Sequence, residues 1–182
     1  MAELEVQLVA RSQSNNNDFP SLEKDIASLV TGAGYEIVEQ SIGKPWGVYL
    51  RLNSTQADRF IDEFFPGLSP DEARLGVDDA ELSPKFLLVK PDARLSWQYH
   101  HRRAERWRFL TSGAYRKSET DDEGELKQAA VGEVVQFQKG ERHRLEGLVD
   151  TVVLVAEIWQ HTDSMNPSNE DDIVRLADDY SR

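Results

Sequence analysis

The chain has 182 residues, 39% hydrophobic and 30% charged, which suits one soluble globular domain with a sizeable core. A formal net charge of −12 argues against nucleic acid as a partner, and the absence of cysteine excludes disulfide scaffolds, zinc fingers and thiol chemistry. The longest apolar run, Thr151 to Ala156, falls far short of a membrane span.

The N-terminus carries early acidic residues and no signal-type apolar block, so the expected compartment is the cytoplasm, with no membrane association. Residues 11–18, RSQSNNND, read as a flexible tether. A short helix follows, with Ser21 as its cap, Leu22, Ile26, Leu29 and Val30 at helical spacing, and Gly32 and Gly34 as its end. Tyr35 to Gln40 alternates as a strand. STQADRFIDEFFPG, from Ser54 or Thr55, reads as a capped helix with Phe60, Ile61, Phe64 and Phe65 on one side and a Pro66-Gly67 stop. LSPDEARLGV adds a helical turn or two, making residues 54–84 a helical insertion on the main body. From Lys85 to Gln160 the chain breaks into short strands separated by turns, the pattern of an antiparallel sandwich or barrel. VVLVAEIW, apolar almost throughout, implies burial on both faces. The acidic C-terminus, NEDDIVRLADDYSR, reads as helical or extended along the surface.

Chemistry concentrates in LSWQYHHRRAERW. Gln98, His100 and Glu105 are three metal-capable groups, and strand alternation puts positions 98 and 100 on one face. His143, in the turn-like GERHRLEG, supplies a fourth. Without cysteine, such a site must use imidazole, carboxylate and amide donors. Two histidines and a carboxylate leave positions open on a divalent ion for Lewis-acid work. The competing reading is an acidic β-rich domain with surface histidines. His101 points to the other face of a regular strand. Residues 100–108 hold four arginines in an otherwise acidic chain, which fits a small anion better than a polymer.

The spacing resembles the two motifs of the cupin fold. Gln98 replaces the first histidine, His100 is the second and Glu105 the acid, with Gly113 one position beyond the expected glycine. In the second motif Gly132, Gly140 and His143 match, while Gln138 and Gly147 stand where proline and asparagine are usual. KPWG (44–47), LLVKPDARLSWQYHHRRAERW (87–107) and EDDIVRLADDYSR (170–182) further resemble the C-terminal half of type II phosphomannose isomerases, in which glutamine also replaces that histidine. The resemblance covers 44–47 and roughly 85–182. Ser181, Trp97 and Arg102 depart from commoner choices.

The resemblance implies an all-β cupin, a double-stranded β-helix or jelly-roll barrel, over residues 41–182, with residues 1–40 as an N-terminal extension. Family members often carry a guanylyltransferase as well; this chain has little room for one and shows no glycine-rich phosphate loop before KPWG, so a stand-alone isomerase-like domain is expected. The implied activity is metal-dependent interconversion of mannose 6-phosphate and fructose 6-phosphate through an enediol. The alternatives are a cupin isomerase for another sugar or sugar phosphate, and a non-catalytic sugar-binding cupin. Gln98, His100, Glu105 and His143 are the expected ligands of a divalent metal, zinc first, with manganese, cobalt, iron or nickel as alternatives. Arg175 is expected in the active site as a partner for phosphate, followed by Arg103, Lys44 and Lys90. Lys90, His101 or a metal-bound water are candidates for moving the proton. Trp97, like Trp46 and Trp107, could stack on the sugar. A homodimer is expected by analogy with other cupins.

Overall fold

The computed structural model describes residues 2–14, 18–41 and 43–180. Two helices precede the sheets, where the sequence suggests one: α1 spans Glu3–Ser12 and α2 spans Phe19–Gly32. The expected tether is therefore shorter, because Arg11 and Ser12 complete α1; its residues 15–17 lie outside the described residues. α2 starts ahead of Ser21, with Asp18 at the cap position and Pro20 in the first turn, where a fixed φ suits the helix and the missing N–H is not needed. Gly34 closes the segment at φ +86°, a left-handed conformation that favours glycine.

The 54–84 segment is helical only in part. Ser54–Gln56 is a single 3-10 turn, capped by the Asn53 side chain accepting from the Thr55 N–H. α3 spans Ala57–Phe64, and α4 spans Pro70–Ala73 behind a Ser69–Glu72 capping box. Residues 82–84 already belong to a strand.

Eleven strands follow or frame these helices among the described residues: β1 (Ile37–Gln40), β2 (Gly47–Leu52), β3 (Leu82–Val89), β4 (Trp97–Tyr99), β5 (Arg103–Phe109), β6 (Gly113–Ser118), β7 (Lys127–Ala129), β8 (Val134–Phe137), β9 (Arg142–Glu146), β10 (Val153–His161) and β11 (Val174–Ala177). They form a six-stranded sheet in the order β1-β2-β3-β10-β5-β8 and a five-stranded sheet in the order β11-β4-β9-β6-β7. Every pairing is antiparallel. The acidic C-terminal segment is extended: it contributes β11 beside β4.

The larger sheet is buried on both faces. Outward residues Phe86 and Leu88 of β3 and Leu154, Ala156 and Ile158 of β10 pack under Leu4, Leu8, Leu22, Ile26 and Val30 of the helical pair and Phe60 and Phe64 of α3. Inward residues Leu87, Val89, Val153 and Val155 meet Trp107, Phe109, Phe137 and Leu145 between the sheets. All nine residues of β10 are buried, so its largely apolar sequence reflects cover on both sides. At Gly47 a Cβ would sit 1.9 Å from the Leu88 carbonyl oxygen, so only glycine lets β2 approach β3 there.

Candidate metal centre

Strand alternation turns polar residues as well as apolar ones into the space between the sheets. Glu105 in β5 projects from the larger sheet, while His143 in β9 and Gln98 in β4, paired directly across the strands, project from the smaller. His100 follows the end of β4. His100, Glu105 and His143 are all buried, and one ligand atom from each lies within 4.8 Å of the others. His100 Nε2 is 3.0 Å from Glu105 Oε1, and His143 Nε2 is 3.2 Å from Glu105 Oε2.

The hydrogen bonds on the far side of each ring fix the tautomers. His100 Nδ1 lies 2.6 Å from the Asp172 carbonyl oxygen, and His143 Nδ1 lies 2.9 Å from the Glu141 carbonyl oxygen. A carbonyl can only accept, so each Nδ1 carries the proton and each Nε2 turns a lone pair inward. His143 Nε2 is buried without a hydrogen-bond partner, an expensive state for a polar atom and the state of a ligand waiting for a cation. Its ring is held by Phe137 at 4.7 Å and Trp107 at 5.5 Å between centroids. Burial pushes the His100 pKa down, against the pull of Glu105, which favours the neutral imidazole that a metal requires. Burial alone would raise the Glu105 carboxyl, but it is held well below the usual carboxylate range, with the Arg103 guanidinium as the permanent cation beside it. Two imidazoles with inward Nε2 atoms and a buried carboxylate match the donor set of a divalent cation. Gln98 lines the same pocket, and its Oε1 accepts from the Ser96 hydroxyl at 2.6 Å.

Arg103 is the hub behind this cluster. Its Nε donates to Glu105 Oε1 at 2.8 Å, one Nη donates to the Ser168 hydroxyl and to the carbonyls of Asn169 and Asp172, and the other lies 3.2 Å from His100 Nε2. The guanidinium stacks over Trp159, 3.5 Å from its ring centroid. Expected as a phosphate ligand, Arg103 instead has its donors engaged by the protein. Asp172 closes the turn between β4 and β5: its carboxylate accepts from the backbone N–H groups of His101 and Arg102 and from the Ser168 hydroxyl. Within EDDIVR the sequence singles out Arg175, yet Asp172 holds the first histidine.

The pocket has a cavity volume of about 80 Å³ and is bounded by Lys44, Trp46, Lys85, Gln98, Glu157, Trp159 and Arg175, among others. Arg175 stands opposite Gln98 in the β11–β4 ladder. Neither Lys44 nor Arg175 has a carboxylate partner among the described residues. Three expected residues do not join the site. His101, in the turn after β4, is exposed and packs edge-on against Tyr99. Trp97 is buried on the opposite face, its indole N–H donating to the Asp121 carbonyl. Lys90 lies past the end of β3, against the Pro45 carbonyl and the Phe19 ring. Two buried pocket residues escaped the sequence reading, Lys85 and Glu157, which pair across β3 and β10. The only sequence signal for them is a charge at an inward position of an otherwise apolar strand.

No helix among the described residues is long and apolar enough to cross a membrane. Residues 76–178 match the family model described as mannose-6-phosphate isomerase C-terminal, opening ahead of the stretch from 85 that carries the motif resemblance. The chain is 27% identical over 145 residues to a mannose-1-phosphate guanylyltransferase of Escherichia coli, covering 80% of this chain and 24% of that protein. It is also 27% identical over 161 residues to the xanthan biosynthesis protein XanB of Xanthomonas campestris, covering 87% of this chain and 28% of that protein. The chain thus spans about a quarter of the length of these curated relatives. Oxalate decarboxylase from Bacillus subtilis superposes with a TM-score of 0.52 at 14% identity, over 76% of this chain and 30% of that one, a likeness of fold. The cupin architecture, the buried His-Glu-His cluster and the matched residues agree: the chain belongs to the mannose-6-phosphate isomerase C-terminal family.

Proposed function

We propose that this domain is a metal-dependent aldose–ketose isomerase interconverting mannose 6-phosphate and fructose 6-phosphate. The observation that carries the reading is the inward lone pair of His143, buried and unpartnered beside His100 and Glu105. His100, Glu105 and His143 would hold the cation with Gln98, and zinc leads the candidates. When bound, the cation supplies Lewis-acid polarisation of a substrate oxygen. Lys44 and Arg175, both at the pocket and without a carboxylate partner among the described residues, are suited to a phosphate dianion, which the acidic chain as a whole would repel. Trp46 and Ile173 give the pocket apolar walls that exclude water from the reacting carbons. Arg103 and Asp172 keep Glu105 and His100 aimed inward.

The test is a coupled assay of sugar isomerisation on protein stripped by chelator and then titrated with zinc, manganese, cobalt, iron or nickel. Activity lost with the chelator and restored by one of these ions supports the reading. A fully active metal-free protein overturns it. A panel of other sugar phosphates in the same assay distinguishes a different substrate, and saturable binding without turnover marks a binding module.

A further inference from the structure

Burying a charge inside a small domain costs several kcal/mol unless it is well paired. The inward face of β3 nevertheless carries Lys85 in line with Leu87 and Val89. Its side chain is 2% exposed and lines the pocket that holds the metal ligands, but it belongs neither to the ligand set nor to the cations of the proposed phosphate subsite. The ammonium sits 3.2 Å from the Trp159 ring centroid and 4.6 Å from that of Tyr49, and donates to Glu170 Oε1 at 2.6 Å. Trp159 separates it from Arg103, which stacks on the same ring. An ammonium has three N–H groups; Glu170 accepts from one, and the others meet only aromatic faces, weaker partners that an incoming oxygen can displace. Glu157, its cross-strand partner, accepts from the Trp107 indole N–H at 2.8 Å.

We propose that Lys85 is a catalytic electrophile of this site: its ammonium donates a hydrogen bond to the substrate oxygen on which negative charge develops as the enediolate forms. The inference rests on the isomerase reading and adds to it a group fixed by the protein at the reacting end of the sugar. Such preorganised donors act most strongly where water is excluded, and removing one lowers turnover by about 100- to 1,000-fold in other enzymes. Burial pulls the Lys85 pKa down, which makes the ammonium a stronger donor. The oxygen keeps its charge and no proton changes owner in this step.

The experiment compares wild type with Lys85→Gln and Lys85→Arg, each loaded with metal. Four quantities are read: metal content, kcat, the affinity for mannose 6-phosphate, and the affinity for a phosphorylated hydroxamate that mimics the enediolate. Lys85→Gln should keep its metal and its sugar-phosphate affinity, lose about 100-fold in kcat, and lose hydroxamate affinity in step. Lys85→Arg keeps the charge and the ion pair, so it decides the matter if the glutamine variant fails to fold. Its planar fork misplaces the donor, and kcat should fall at least about tenfold. A folded variant of either kind with kcat within about threefold of wild type overturns the role of Lys85, as does an equal loss of sugar-phosphate and hydroxamate affinity. A metal-loaded wild type that turns over neither mannose 6-phosphate nor fructose 6-phosphate overturns the isomerase reading itself, a result distinct from an active Lys85 variant.

Discussion

Two carbonyl oxygens, those of Asp172 and Glu141, decide which nitrogen of each site histidine faces inward. Such outer partners are worth about 10- to 100-fold in metal affinity. Asp172→Ala should weaken metal binding by about that factor, because the turn that presents His100 loses its three side-chain hydrogen bonds. Competition with a chromophoric chelator measures it, and an unchanged affinity would remove Asp172 from the site's support. His143→Ala should abolish metal uptake and turnover together, read by metal analysis and the isomerase assay. The sequence singled out the four proposed ligands through the close spacing of Gln98, His100 and Glu105 and the second motif that contains His143; the fold brings the two histidines and Glu105 together. Asp172 was not, because its contacts join residues some 70 positions apart in sequence.

Among the elements, the larger sheet separates two tasks. Its outer face meets helices, and its inner face carries chemistry, so a mutation on one side can spare the other. Phe60 in α3 packs 5.2 Å from Phe86 across this outer interface and is fully buried. Phe60→Ala should cost about 3–5 kcal/mol of stability through the cavity it leaves. Urea unfolding reads that loss, while metal affinity at 25 °C stays at the wild-type value. Coupled losses of both would place α3 in the site's support. The amphipathic period of α3 made it readable from sequence. α1 escaped because only Leu4 and Leu8 of its apolar residues are buried, too short a stripe to read, and its helix is held by tertiary contacts, including an ion pair from buried Glu5 to Arg108 at 2.9 Å.

At the scale of the molecule, pH acts through the segment that joins β10 to β11. His161 Nδ1 accepts from the Ser168 backbone N–H at 2.8 Å, so this histidine must be neutral for the segment to be held. Burial, with the nearby Arg103 charge, pushes its pKa down to about 4. The unfolded chain takes up this proton near pH 6.5 and the folded one only near 4, so stability is complete above 6.5 and declines as pH falls toward 4. The loss approaches about 3 kcal/mol, since each pKa unit is worth about 1.4 kcal/mol. Urea midpoints between pH 8 and pH 4.5 read it, and His161→Gln should flatten that part of the profile. Glu105 and Asp172, both held below the usual carboxylate range, stabilise the fold above their unfolded pKa values and release that stability only at lower pH.

Sequence alone determined the strand-rich architecture and the helical character of the segment around Phe60 through local periodicity, and its motifs singled out His100, Glu105 and His143, which the fold brings into one buried cluster. It also marked Lys44 and Arg175 for an anion through short motifs. Only the tertiary structure decided that Trp97, Lys90 and His101 stand away from the pocket, and that Arg103 spends its donors on the protein. It alone brought Lys85 and Glu157 face to face across β3 and β10, residues 72 positions apart in the chain. Long-range antiparallel pairing sets which inward charges meet, and no local pattern encodes that register.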